Sequence, residues 1–476
     1  MDAWTLTIGQ PLYERLWAHL FPGDDDEHGG VIAAGIATTP RGTRLLAREL
    51  FLAEDGVDLV PGVRGYRRLT PEFGRDRIRH CRDQKLIYLA IHNHRGSDSV
   101  EFSEPDDCSH ERGYPALLDI SGQPVGALVL ARNAVAGDIW TRDRRRRPIA
   151  ETIVVGRNIR RLYPAAPPRP PKAEPTYDRQ VRWFGERGQA LLGRMKVVVV
   201  GAGGVGLPLV TMLARLGVGE LVVIDPDRLA PTNLPRMPEA RRIDALMPLR
   251  ALPGGGWIAD RLSTRKVRLA RRAARRANPS IRFRGMAVNV VEPEAASELI
   301  DADYIFLAAD GHLARMLVNA VAHQFLIPAV QLGTRIDIDG TTGLVGDIRT
   351  NVRPILPGSG CLRCNSLISG SRLQQDSLGE RERERNRYVE EVPAPSVIGF
   401  NTWAASQAVT NFMLMLGELM ESSAPIAYVR ARPRLGIVEP VKPIASKPDC
   451  RDCGTIEKSR RARGDGAELP LPERHR

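Results

Sequence analysis

The sequence predicts an α/β protein of two domains. Three observations carry that reading: a β-branched run feeding a glycine-rich turn and an apolar helix, a second apolar run ending in His-x-His, and a proline-rich stretch between them. At 476 residues the chain exceeds one ordinary hydrophobic core, so two domains are expected. Pro164-Ala-Ala-Pro-Pro-Arg-Pro-Pro-Lys-Ala-Glu-Pro175 suits neither helix nor central strand and reads as a stiff, extended linker over 164–176. It separates residues 1–163 from a larger domain over 177–456, and residues 457–476 read as a basic, disordered tail.

Lys196 to Val200 suits a strand buried on both faces, and it runs straight into Gly201, Gly203, Gly204 and Gly206. Glycine belongs there because the turn is tight, the backbone must approach a phosphate, and the helix from Leu207 to Leu216 must pack close with its N–H groups facing the anion. A second apolar run, Glu220 to Ile224, ends at Asp225, where a Rossmann unit carries the acid that bonds a ribose hydroxyl. To this point the pattern fits NAD or ATP equally. Asp227, Asn233 and Arg236 have no task in hydride transfer. Beside a triphosphate they do: an asparagine and an arginine orient and neutralise phosphate oxygens, and carboxylates hold magnesium.

Gly-Ala-Gly-Gly-Val-Gly, Asp-x-Asp and Asn-Leu-x-Arg together resemble the adenylation domain of the ThiF and ubiquitin-activating enzyme superfamily, over about residues 177–454. The resemblance implies a Rossmann-like fold, ATP and magnesium as cofactors, and a homodimer formed through this domain. Tyr177-Asp-Arg-Gln180 resembles the family's entry motif, so Arg179 is expected to reach the ATP of the neighbouring subunit. Lys266, in Thr-Arg-Lys-Val, matches the phosphate-binding lysine, and Asp310, after the apolar run Tyr304 to Ala308, matches the magnesium aspartate. The stretch from Met237 to Arg265, with Gly254-Gly255-Gly256 inside it, is longer than in compact relatives. The implied reaction is attack of a protein's C-terminal carboxylate on the ATP α-phosphate, driven mostly by positioning and electrostatic clamping.

Cys361-Leu-Arg-Cys364 and Cys450-Arg-Asp-Cys453 are two C-x-x-C knuckles whose thiolates suit tetrahedral zinc. Their separation alone would not pair them; the family resemblance does, as one structural zinc. Cys81 and Cys108 lie far upstream. Relatives that form a thioester carry a cysteine on the loop corresponding to Gly379 to Ser396, which here has none. Ser396, in Pro-Ala-Pro-Ser-Val-Ile, is the candidate alternative acyl acceptor, against a plain role as cap of a helix over Val397 to Leu416.

Upstream, the apolar run Leu86 to Ile91 ends in His92-Asn-His94, and Ser103-Glu-Pro-Asp106 follows. Histidines at i and i+2 of a strand share a face, so both can hold one zinc, and Asp106 would complete three protein ligands with a fourth position open to water. This order resembles the JAMM (JAB/MPN) metallopeptidases, an α/β domain type that cuts bonds next to ubiquitin-like proteins. In that family an upstream glutamate, matched by Glu27, handles the proton of the zinc-bound water, and the serine, matched by Ser103, stabilises the oxyanion. Asp107 is a rival to Asp106, Asp24 to Asp26 are rivals to Glu27, and His28 and His110 read as surface residues.

The formal charge of +12 lies in patches: Arg144 to Arg147, a helix-like run from Arg265 to Arg276, and the tail. They lack the aromatic residues of a nucleic-acid surface and read as solvated faces that could also receive an acidic partner. No run is long and apolar enough to span a membrane, and no signal peptide is seen, so a cytoplasmic enzyme is expected. The combined expectation is an enzyme that activates a ubiquitin-like β-grasp protein and, through its metallopeptidase half, trims the modifier or removes conjugates, with an E2-like carrier as a further partner. The alternative is activation of a sulfur-carrier protein for cofactor or amino-acid biosynthesis.

Overall fold

The computed structural model describes residues 3–24, 26–61, 67–377, 395–421 and 428–472. The alternating Glu and Arg run from Glu380 to Arg387, whose composition reads as an exposed segment, and nearly all of the loop before Ser396 lie outside them. The chain forms two compact units, the first built from Met1–Arg169 together with His323–Leu326 and Pro448–Glu468, the second from Pro170–Ala322 and Ile327–Lys447.

In the first unit, β1 (Trp4–Gly9), β2 (Gly29–Thr39) and β3 (Gly42–Leu52) are followed by a small hairpin of β4 (Leu59–Pro61) and β5 (Arg67–Leu69). Then come β6 (Ile87–Asn93), β7 (Val125–Leu130), β8 (Val135–Trp140), β9 (Arg146–Val155) and β10 (Ile159–Leu162). The order β1-β3-β2-β6-β7-β8-β9, with β9 pairing back onto β1, closes seven strands into a barrel, and β10 extends β9. Alternate residues of each strand feed different cores, as strand geometry requires. Ile32 and Leu89 pack with Leu16 and Leu20 of the helix Gln10–Leu20. Val31, Ala33 and Tyr88 pack with Phe73 and Ile78 of one helix and Tyr114 of another.

The C-terminal stretch corrects the expectation of a disordered tail, because residues 457–468 are built into this unit. Arg48, 1% exposed, donates from Nη1 to the carbonyls of Ser459 and Arg461 and from Nη2 to those of Ile456 and Glu457. One guanidinium thus satisfies four carbonyls that burial would otherwise leave unpaired. Asp465 anchors the far end: its N–H donates to Ile36 O and its carboxylate accepts from Thr38 N. A basic composition read as solvated tail because the interior partner, Arg48, sits some four hundred positions away.

The second unit is a doubly wound sheet: β11 (Lys196–Val200), β12 (Glu220–Ile224), β13 (Arg282–Met286), β14 (Tyr304–Leu307), β15 (Ala329–Ile338), β16 (Val345–Ile355), β17 (Tyr428–Arg432) and β18 (Ile437–Val441). Its order is β13-β12-β11-β14-β15-β16-β17-β18. The first five strands run parallel and the rest antiparallel. The order reverses between β11 and β14, so the crevice at their carboxyl ends is where such a sheet binds a ligand. The linker residues 164–174 carry no helix or strand.

Candidate functional sites

The crevice holds a cavity of about 430 Å³ lined by the glycine turn, Asp225, Asp227, Arg236, Lys266, Asp310 and Ser396. Gly201 has φ +96°, a left-handed conformation that favours glycine. At Gly206 a Cβ would lie 1.8 Å from the carbonyl oxygen of Gly201, whereas one at Gly203 would meet nothing within 4 Å. One glycine therefore closes the helix onto the strand, and the other leaves room for a ligand. Asp225 is buried, its two oxygens accepting Ala202 N at 2.7 Å and Asp227 N at 2.9 Å. Burial pushes its carboxyl above the ordinary range, against the opposing pull of Lys266.

Lys266 lines the cavity, although the long stretch of residues 237–265 precedes it. Residues 237–265 fold into two short helices, Met247–Arg250 and Gly255–Leu262. Leu229 N donates to Thr264 O and Lys266 N to Asp227 O, so the insertion leaves and rejoins at neighbouring points. Lys266 Nζ then reaches Asp227 Oδ2 at 2.7 Å.

Asn233 departs from expectation: it is buried, is not among the cavity's lining residues, and its Oδ1 accepts Ala230 N, so it holds the turn that presents Arg236. Arg179 is exposed on the helix Asp178–Leu192 and does not line its own chain's cavity. Ser396 is not a helix cap; the helix runs Ile398–Leu416 with Val397 as its cap residue. Its Oγ accepts from Asn401 Nδ2 at 2.9 Å.

Two lining residues were missed by the sequence reading. Asn401 is 1% exposed, and a Cβ on Gly204 would come within 2.6 Å of its amide nitrogen. Asp376 caps the helix His312–Gln324, its Oδ2 accepting from His312 N and Leu313 N. Both arrive from segments without a motif, so only the fold brings them in.

In the first unit, His92 and His94 at the end of β6 meet Asp106 in the first turn of the helix Glu104–Ser121. The histidine Nε2 atoms are 3.1 Å apart, with Asp106 oxygens 3.4 Å from His92 and 3.3 Å from His94. Tetrahedral bonds of about 2.0–2.1 Å separate neighbouring donors by about 3.3 Å, so the triad fits zinc. Ser103 caps the helix, its Oγ donating to Asp106 Oδ2 at 2.6 Å, and His94 Nδ1 lies 3.1 Å from Glu101 O, fixing the ring. A hydrogen bond donated to Asp106 raises the His94 pKa, with the charges of Asp106 and Glu27 adding to it and burial opposing. Burial disfavours the charge of Asp106, but the hydrogen bonds of His92, His94 and Ser103 outweigh it and hold the carboxyl well below the ordinary range.

Asp107 turns to Arg146, 2.5 Å away, and is no rival to Asp106. His28 and His110 correct the surface reading: both are buried, His28 against Asp24 and His110 stacked on Tyr114. Burial pushes His110 down to about 4.

Cys361, Cys364, Cys450 and Cys453 are all buried, with sulfurs within 4.8 Å of one another. The Cys361 and Cys364 sulfurs are 3.7 Å apart, close to the spacing of about 3.8 Å that Zn–S bonds of about 2.3 Å set in a tetrahedron.

Fold and crevice define a doubly wound, nucleotide-type domain. The chain belongs to the ThiF family, whose model matches residues 177–451. It is similar to the "SAMP-activating enzyme E1" of Haloferax volcanii, 29% identical over 38% of this chain and 56% of that one. It is also similar to the "Sulfur carrier protein adenylyltransferase" of Thermus thermophilus, 29% identical over 38% and 58%. The "Molybdopterin-synthase adenylyltransferase" of Escherichia coli is 28% identical over 41% of this chain and 68% of that one. The chain spans little more than half the length of the first two relatives. The matched family region does not extend to residues 1–176.

Proposed function

We propose that the second unit uses ATP to adenylate the C-terminal carboxylate of a ubiquitin-like or sulfur-carrier protein. The observation that carries this reading is the convergence of Asp227, Arg236, Lys266 and Asp310 around the glycine turn. The carboxylate oxygen attacks the α-phosphorus, the bond to the bridging β-phosphate oxygen breaks, and pyrophosphate leaves. Arg236 and Lys266 neutralise phosphate oxygens, the turn's N–H groups cradle them, and Asp310 with Asp227 offers oxygens suited to magnesium. The names of the relatives, the glycine turn and the strand order all support it. Incubating candidate carrier proteins with enzyme and ATP, then measuring intact mass, tests the reading. A carrier gaining AMP is expected, and unchanged mass for every β-grasp protein tested would reject it.

Ser396, lining the same cavity, is our candidate for an acyl acceptor. A hydroxylamine-sensitive adduct on the enzyme, absent in Ser396→Ala, is expected; its absence from wild type means that the reaction stops at the adenylate.

A second reading rests on the His92, His94 and Asp106 convergence: the first unit is a zinc peptidase of JAMM type acting on the same modifier. Zinc there supplies a Lewis acid and acidifies water. Glu27, whose charge acts on His94, would move a proton, and Ser103 Oγ, released from Asp106, would donate to a developing oxyanion. Cleavage of a carrier bearing a C-terminal extension, lost in Asp106→Asn, is expected; equal cleavage by that variant contradicts it. Finding a gene for an E2-like protein beside this one would favour conjugation over sulfur transfer.

A further inference from the structure

The helix Lys266–Ala277 carries two rows of arginines with different fates. Arg272 and Arg276 are engaged, the first with Asp244 at 2.7 Å and the second with Glu239 at 2.8 Å. Arg268, Arg271 and Arg275 follow one another at i, i+3 and i+7, are exposed, and have no acidic partner among the described residues. Like charges at helical spacing repel one another, and no acid among the described residues offsets the second row.

That row faces the edge of the sheet. β13 pairs on one side with β12 and lies at the end of the strand order. Along it lie two hollows, one of about 340 Å³ lined by Arg265, Arg268, Arg271 and Gly285, the other of about 510 Å³ lined by Arg275, Arg282, Arg284 and Glu220. In the second, Glu220 engages Arg282 and Glu298 engages Arg284, leaving Arg275 as its arginine without an acidic partner among the described residues. The half-buried Phe283 lines both. An unpaired edge offers N–H and C=O groups to an added strand, and alternate side chains of that strand would fall into successive hollows.

We infer that this edge is a docking surface for an extended, acidic segment of a protein partner, which adds as a strand along β13 and sets carboxylates against Arg268, Arg271 and Arg275. Charge complementarity selects the acidic partner, and the open edge with its paired hollows selects the extended conformation. Nucleic acid is disfavoured because Phe283 is the one aromatic lining the two hollows, whereas single-strand binding stacks successive bases on several rings. The inference goes beyond the nucleotide cavity and does not depend on what that cavity activates.

A fluorescein-labelled peptide of about ten residues alternating Glu and Val, titrated with the full chain at low salt, tests it by anisotropy. Saturable binding is expected, at least tenfold weaker for the triple variant Arg268→Glu, Arg271→Glu, Arg275→Glu and unchanged for Arg215→Glu, an exposed arginine on another helix. Circular dichroism and thermal melting establish that the triple variant is folded. The same peptide N-methylated at alternate amides keeps its charge but loses its donors, and should bind at least tenfold more weakly. Equal binding by the triple variant, equal binding of the methylated peptide, or preference for an oligothymidylate of equal charge would each overturn the inference.

Discussion

The crevice of the second unit and the His92–His94–Asp106 cluster of the first both form at the carboxyl ends of strands, yet they are built from different material. The crevice is a backbone device: glycines at 201, 203, 204 and 206 shape it, and charged side chains reach in from four further segments, at 225–236, 266, 310 and 376. The cluster is a side-chain device: one strand end and one capped helix turn bring three donor atoms together with side-chain exposures of 22%, 19% and 12%. A backbone-built site tolerates changes at its rim but not at its closest approaches. A cluster of donor atoms fails when a single ligand goes, while the fold around it survives.

The largest effect expected from this difference is at Gly206. Gly206→Ala drives a Cβ into the Gly201 carbonyl at 1.8 Å, and since neither atom is on a flexible side chain the cost should be about 3 kcal/mol. Chemical denaturation of the full chain measures it; a variant as stable as wild type would break the claim that backbone approach defines the crevice.

A control of similar size lies in neither site. His323 is fully buried with neither ring nitrogen paired among the described residues, and burial pushes it down to about 4. The folded value lies below the unfolded value of about 6.5, so the unfolded chain binds the proton more readily between them. Its contribution is complete above about pH 6.5 and is lost as pH falls toward 4, by about 3 kcal/mol. His323→Leu should flatten the dependence of stability on pH over that window, and an unchanged slope would show that other groups produce it.

At the cluster, His94→Ala should weaken zinc binding by at least about a hundredfold while leaving ATP binding intact, as read by metal analysis and calorimetry on the same sample. Loss of both together would mean that the variant had unfolded. The smallest effect is at Gly203, where an added methyl meets no protein atom. Gly203→Ala should leave stability within about 0.5 kcal/mol and weaken ATP binding by about tenfold. Unaltered ATP affinity would mean that the nucleotide does not approach that turn.

The same division explains what was legible in the sequence. The glycine turn, the strand runs at Lys196–Val200 and Glu220–Ile224, and His92-Asn-His94 with Ser103-Glu-Pro-Asp106 are local patterns whose spacing carries their geometry. Asn401 and Asp376 are not legible, because they enter the crevice from two helices, Ile398–Leu416 and Gly370–Ser377, with no motif around them. Residues 457–468 misled for the opposite reason: their arginines look solvated until the buried Arg48 appears opposite their carbonyls. Closure of β9 onto β1 was equally hidden, since strand pairing across more than a hundred residues leaves no local trace.

Most direct for the central claim is carrier-dependent ATP–pyrophosphate exchange, measured with wild type, Lys266→Ala and Asp310→Asn. The account predicts exchange that requires a β-grasp protein with a free C-terminal carboxylate and falls by at least about a hundredfold in each variant. Exchange absent with every carrier, or undiminished in both variants, would contradict it.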